Sequence, residues 1–175
     1  MAILPICKWG NPILKKQAVE VTEITPEITT LVSNMFATMQ SRNGVGLAAN
    51  QIGVAKKIFV AAIPNEIGPP SKYTFINPVI KFENKKKESE SEGCLSFPGI
   101  YGKIERSIEI EINGMNLSGQ KIKLSAKGFL ARVFQHELDH LTGTVFIEKM
   151  GPVERLMLQR KLNQLAKETK ATLGK

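Results

Sequence analysis

The sequence predicts an α+β domain with antiparallel sheets, on three observations. Stretches that alternate apolar and polar residues are joined by short turns rather than by helices, which argues against a doubly wound parallel sheet. Three separate segments read as helices, near residues 25–41, 129–141 and 152–170, the first by apolar residues at helical spacing and the others by their bounding glycines and proline. The chain has 175 residues, 42% of them apolar, enough for one domain with a hydrophobic core and too few for two. Residues 1–175 are therefore expected to form a single domain.

The first helix is expected from about Thr25 to Ser41. Thr25 suits the N-cap and Pro26 the first helical position. Ile28, Leu31, Val32, Met35, Phe36 and Met39 give it a core-facing stripe. Residues 44–53, Gly-Val-Gly-Leu-Ala-Ala-Asn-Gln-Ile-Gly, read as a small-residue loop. A strand is expected over Lys57–Ile63, then a turn from Asn65 to Lys72 around Pro69-Pro70. A second strand spans Tyr73–Phe82, interrupted at Asn77-Pro78. Glu83–Glu92 reads as a charged connector, with its lysine run at a solvated hairpin tip. Ser107–Ile112 and Gln120–Leu124 alternate as half-exposed strands do, with turns at Asn113-Gly114 and Gly119. A second helix is expected over Phe129–Leu141, bounded by Gly128 and Gly143. Pro152 opens a third, running to about Lys170.

Composition narrows the function classes. No apolar stretch approaches the roughly 18 residues of a membrane span. The N-terminus, Met1 to Gly10, lacks the basic-then-apolar order of a signal peptide. The expected location is the cytoplasm, or an organelle if a transit segment has been removed. Two cysteines, Cys7 and Cys94, are no disulfide framework, and a reduced compartment leaves Cys94 free to act as a thiolate. The net charge of +8 serves solubility or attracts a polyanion such as RNA; no RNA-binding motif accompanies it.

The chemistry concentrates in the second helix, at His136-Glu137-Leu138-Asp139-His140. The chain has only two histidines, and they stand four apart, one above the other on the same helix face. Two imidazoles so placed can hold one metal ion, and the adjacent Glu137 can reach a metal-bound water. A catalytic site usually needs a third protein ligand. Position 146 is Phe, where one metallopeptidase pattern needs a third His, so that pattern is excluded. Glu148 follows His140 too closely, while Glu154 and Glu168 remain formal candidates. Cys94 is the stronger candidate, although a lone cysteine is more often a small buried hydrophobe.

Three segments together, Gly44-Val45-Gly46-Leu47-Ala48-Ala49-Asn50-Gln51, Glu92-Gly93-Cys94-Leu95-Ser96 and Gln135-His136-Glu137-Leu138-Asp139-His140, resemble the three signature motifs of peptide deformylases. Their order and spacing are similar too, and the resemblance covers nearly the whole chain. It implies antiparallel sheets packed around a central metal-binding helix, with a C-terminal helix. It implies one divalent ion on Cys94, His136 and His140, commonly Fe²⁺, replaceable by Zn²⁺, Ni²⁺ or Co²⁺, a sensible set for a thiolate with two imidazoles. The implied reaction removes the N-formyl group from the initiator methionine of nascent peptides. Metal-bound hydroxide attacks the formyl carbon, and Glu137 carries the proton to the leaving amine. The Gln51 amide and the Leu95 backbone N–H would hold the oxyanion. Val45, Gly46, Gly93, Phe129 and Val133 would surround the substrate. Asn50 stands at a variable position, where Pro or Thr is commoner, with no effect on the chemistry expected.

Asp139, the only aspartate, is expected to anchor the metal helix from behind by pairing with Arg106. The C-terminal helix carries Arg155, Arg160, Lys161, Lys167 and Lys170, and Val153, Leu156, Leu158, Leu162 and Leu165 for apolar contacts. Its basic face either docks on the ribosome near the nascent-chain exit or is simply solvated. Two rival functions stay open at this point: a small metallopeptidase, whose third ligand would be a downstream His or Glu, and a deformylase-like binding module without activity.

Overall fold

A computed structural model describes residues 1–174. Helix α1 (Pro26–Ser41) starts where Thr25 and Pro26 place it, although the Thr25 side chain makes no capping bond. The chain then forms β1 (Gly46–Ala48), a 3-10 turn at Ala49–Ile52, β2 (Ile58–Ile63) and β3 (Ser71–Glu83). Next come β4 (Lys87–Gly93), β5 (Tyr101–Ser107), β6 (Glu109–Met115), β7 (Lys121–Lys127), α2 (Gly128–Leu141) and α3 (Pro152–Leu173). Five strands make one antiparallel sheet in the order β1-β2-β3-β6-β7, and β4 pairs with β5 in a second, two-stranded sheet.

The larger sheet is covered on both faces, and the run Ile58-Phe59-Val60-Ala61-Ala62 shows why β2 carries no polar residue. Successive side chains point to opposite faces. Ile58, Val60 and Ala62 join Ile28, Val32, Met35 and Met39 of α1. Phe59 and Ala61 join Phe75, Ile110 and Ile112 and the α2 residues Ala131, Phe134 and Leu141. A third cluster ties α3, through Leu162 and Leu165, to Leu14, Phe97, Phe146 and Ile147.

Five expectations change. Residues 44–53 are not a loop: Gly46–Ala48 pairs with β2 as β1, and Ala49–Ile52 forms a 3-10 turn. The connector Glu83–Glu92 is mostly strand: the turn ends at Lys86, and β4 pairs residue for residue with β5. Its Lys-Glu-Ser-Glu-Ser-Glu alternation exposes every side chain but Glu92, so it gives no apolar signal. The strand placed at Ser107–Ile112 is the end of β5 and the start of β6, with a bend at Ile108 between them. In β5 the buried alternates are Gly102, Ile104 and Arg106, so a glycine and an arginine stand where a pattern reading seeks hydrophobes. Asn113-Gly114 lies inside β6, where Gly114 packs on Phe75. The turn comes at Asn116–Gln120, closed by the Asn116 side-chain Oδ1, which accepts from the N–H groups of Ser118 and Gln120. In α3, Val153 and Leu156 are 72% and 73% exposed, so the apolar contact is made by Leu158, Leu162 and Leu165 alone.

The break at Asn77-Pro78 is a bulge within β3. The register shifts between Ile76 and Val79, and Asn77 has φ 51°. Its side-chain amide exchanges two hydrogen bonds with the backbone of Val21, 2.9 and 2.8 Å.

Candidate metal centre and active-site cavity

Helix α2 stands His136 and His140 on one face. β4 ends at Gly93, which brings Cys94 to the same point. Cys94 Sγ lies 3.2 Å from His140 Nε2, and the two Nε2 atoms are 3.2 Å apart. These three are the group of potential metal ligands found among the described residues. A tetrahedral ion with usual bond lengths sets its nitrogen ligands about 3.3 Å apart and sulfur about 3.6 Å from nitrogen. The three atoms therefore fit a single divalent ion. Glu154 accepts from the Lys103 backbone N–H, Glu168 from Gln164, and Glu148 pairs with Lys15. None of these acids is a third ligand.

A carboxylate behind His136 fixes its ring. His136 Nδ1 lies 2.9 Å from Glu92 Oε2, so Nδ1 keeps the proton and the Nε2 lone pair faces the other ligands. Glu92 also accepts two bonds from Arg106, each 2.9 Å, and one from Arg132 at 2.8 Å. Burial alone would raise the Glu92 carboxyl, but the hydrogen bonds from Arg106 and His136 hold it well below the usual carboxylate range. Arg106 gains more from Glu92 and Asp139 than burial costs it, and its pKa rises. Arg106 Nη1 donates to Asp139 Oδ2, and Lys149 donates to the other oxygen at 2.7 Å.

His140, 1% exposed, is pushed well below the ordinary imidazole value by burial and by the neighbouring His136 and Arg106. That favours the neutral ring a metal needs. Burial also lowers His136, but the hydrogen bonds to Cys94 and Glu92 outweigh it and raise its pKa.

Glu137 points from α2 toward β1. Its Oε2 is buried with no hydrogen-bond partner among the described residues, and burial pushes its carboxyl up to about 7. A Cβ on Gly46 would lie 2.3 Å from Glu137 Oε1, so only glycine leaves room for this carboxylate. Gln51 sits in the 3-10 turn after β1. Its Oε1 accepts from Ala48 N at 2.8 Å, which turns Nε2 toward Cys94 Sγ at 3.3 Å and Ser96 Oγ at 3.2 Å.

A cavity of about 790 Å³ opens onto this group. Val45, Gly46, Gln51, Gly93, Cys94, Leu95, Phe129, Val133, His136 and Glu137 all line it. His140 lies behind its wall, and Arg106 and Asp139 lie behind the metal helix. Sequence reasoning gave no role to Glu92 or Arg132. Glu92 was visible only as a neighbour of Cys94. Arg132 carried one usable signal, its place four residues before His136 on the same helix face.

The pattern of the polypeptide deformylase family matches residues 3–156. A peptide deformylase of Halothermothrix orenii is 45% identical over 158 residues, 90% of this chain and 100% of that protein. One of Aquifex aeolicus is 44% identical over 163 residues, 93% of this chain and 96% of that protein. The structure of peptide deformylase from Plasmodium falciparum superposes with a TM-score of 0.89 at 39% identity, covering 96% of this chain and 98% of that one. The ligand triad, the glutamate beside it and these relatives lead to one assignment: the chain belongs to the polypeptide deformylase family.

Proposed function

We propose that this chain hydrolyses the formamide bond of N-formyl-methionyl nascent peptides as one catalytic domain. A divalent ion, Fe²⁺ in the cell, would be held by Cys94, His136 and His140. The observation that carries this is the convergence of Sγ and two Nε2 atoms within 4.8 Å of one another, in a cavity shared with Glu137 and Gln51. When bound, the ion polarises the formyl carbonyl and makes water acidic near neutral pH. Glu137 accepts the proton of the attacking water and returns it to the leaving amine nitrogen. With its carboxyl near 7 it can hold or release that proton at neutral pH. The Gln51 Nε2–H and the Leu95 backbone N–H donate to the oxyanion. Val45, Phe129 and Val133 receive the methionine side chain, while Gly46 and Gly93 line the same cavity beside the peptide main chain. Zn²⁺, Ni²⁺ or Co²⁺ suits the same ligands. The test is anaerobic release of formate from a formyl-Met peptide by protein loaded with iron or with zinc. Release with iron is expected; none with either metal overturns the reading.

Such a substrate places the enzyme in the cytoplasm, or in an organelle that makes formylated chains. Among the described residues no helix is long and apolar enough to cross a membrane. Arg155, Arg160, Lys161, Lys167 and Lys170 of α3 are all exposed, and most of this helix lies beyond the residues matched by the family pattern. Its basic face is proposed to dock on ribosomal RNA, a contact that weakens steeply as salt rises. Reversing Arg160 and Lys161 to Glu should abolish co-sedimentation with ribosomes and spare cleavage of a short formyl peptide. Ribosome binding by this double variant equal to the parent's at low and moderate salt rules that face out.

A further inference from the structure

Asn50 immediately precedes Gln51 and is fully buried, 0% exposed. Its Nδ2 donates to the backbone carbonyl of His140 across 90 positions of sequence. That carbonyl also accepts from Gly143 N at 3.0 Å, where α2 ends. One side-chain amide therefore joins the 3-10 turn that carries Gln51 to the last turn of the helix that carries the metal ligands. Gly143 lets this end of α2 lie close to the backbone of Lys15. It has φ 76°, and a Cβ there would lie 2.5 Å from the Lys15 carbonyl oxygen, so the chain must turn at this point.

Two further groups are left over on these same two residues. Asn50 Oδ1 and His140 Nδ1 are both buried with no hydrogen-bond partner among the described residues. Their chemistry is complementary. With His140 Nε2 facing Cys94 and His136, Nδ1 must carry the ring proton, and a metal-binding imidazole normally donates that proton to an acceptor. Asn50 Oδ1 is an acceptor on the side chain that already touches the His140 backbone. A polar group left unpaired in the interior loses its hydration without replacement, so both have reason to meet, directly or through one buried water.

We propose that Asn50 is a positioning residue: its amide sets the placement of the Gln51 donor relative to the metal ligand His140, and its carbonyl takes the His140 Nδ1–H when the ion is bound. The inference rests on the ligand triad proposed above. Asn50 neither lines the cavity nor belongs to the ligand group, so its influence runs through Gln51 and His140. Removing it loosens two parts of one site together. Buried amides that only hold a fold have no reason to alter a metal's ligand field.

The probe is Co²⁺, whose visible spectrum reports the geometry of its ligands. Asn50→Leu keeps the approximate volume and deletes both polar groups, and Asn50→Ser replaces the amide with one short hydroxyl and leaves space for water. Cobalt affinity by chelator competition, the cobalt spectrum, kcat and KM on a formyl-Met peptide, and the melting temperature of the metal-free protein are measured for each. The expected result for Asn50→Leu is a loss of about 10–100-fold in cobalt affinity, shifted cobalt bands, and a lower kcat with KM changed less than about twofold. Asn50→Ser is expected to move the same readouts in the same direction by a smaller factor, and it supplies the answer if the Leu variant does not fold. Parental cobalt affinity, spectrum and kcat in a folded variant overturn the proposal, even where the melting temperature falls. A parent protein without a thiolate-to-cobalt band would instead overturn the ligand triad.

Discussion

Replacing Glu92 by Gln tests the charged core behind the metal helix. The Glu92, Arg106 and Arg132 side chains are 5%, 3% and 8% exposed, so water cannot compensate for a lost charge. Glu92 accepts four hydrogen bonds: Oε1 from Arg106 Nε and Arg132 Nη1, Oε2 from Arg106 Nη2 and His136 Nδ1. Gln can supply one oxygen. Whichever way its amide turns, an NH₂ faces two donors, and two buried guanidiniums lose their shared anion. Breaking a buried pair in this way typically costs about 3–5 kcal/mol. That is a large part of the roughly 5–15 kcal/mol that keeps a domain folded. At about 2–4 °C per kcal/mol for a chain of this size, the expected loss in melting temperature is roughly 6–20 °C. The sign with pH follows from the depressed Glu92 carboxyl. Its contribution is present above the unfolded value near 4.5 and is lost as pH falls below it. Thermal denaturation of metal-free parent and variant should therefore differ most near neutral pH and converge in acid. His136 also loses the acceptor that fixes its tautomer, so metal affinity should fall by about 10–100-fold. A variant that melts within 2 °C of the parent at neutral pH, as an order-of-magnitude criterion, with unchanged metal affinity, refutes this account of the network.

Three further outcomes are expected. Glu137→Ala should retain the metal and lose about 10²–10⁴-fold in turnover; near-parental turnover removes Glu137 from proton transfer. Gln51→Leu should lower kcat by roughly 10²–10³-fold at unchanged metal content, and an unaltered kcat means the other oxyanion contacts suffice. Asp139→Asn weakens the pairing with Arg106 and Lys149 and should cost about 10–100-fold in metal affinity or rate; if stability, affinity and rate all hold, the pairing is dispensable.

What the sequence revealed and what it hid have the same physical origin. His136 and His140 were legible because one helix fixes their relation: residues four apart share a face whatever else the chain does. The stripes of α1 and the run of β2 were legible because burial against apolar neighbours imposes a period. Cys94 was different. Nothing local relates it to His136, and only the resemblance of three motifs joined them. The Asn113-Gly114 pair misled because a dipeptide common in turns was used inside β6 to make space for Phe75.

The two-stranded sheet was the element least visible, and its packing explains both why it was missed and why it matters. Its inner face meets α2 through ions in place of hydrophobes. Arg132 of α2 donates to the carbonyls of Ile104 in β5 and Glu88 in β4 and to the Glu92 carboxylate. Arg106 of β5 reaches back to Asp139 of α2. A pattern reading scores all four charged residues as surface. An apolar seam could dock the same sheet, but it would offer His136 Nδ1 no acceptor. The charged seam docks β4 and orients the ring in one arrangement, because the carboxylate that binds both arginines also binds His136. β4 then ends within one residue of Cys94, so the seam that holds this small sheet against α2 also sets the thiolate against both imidazoles.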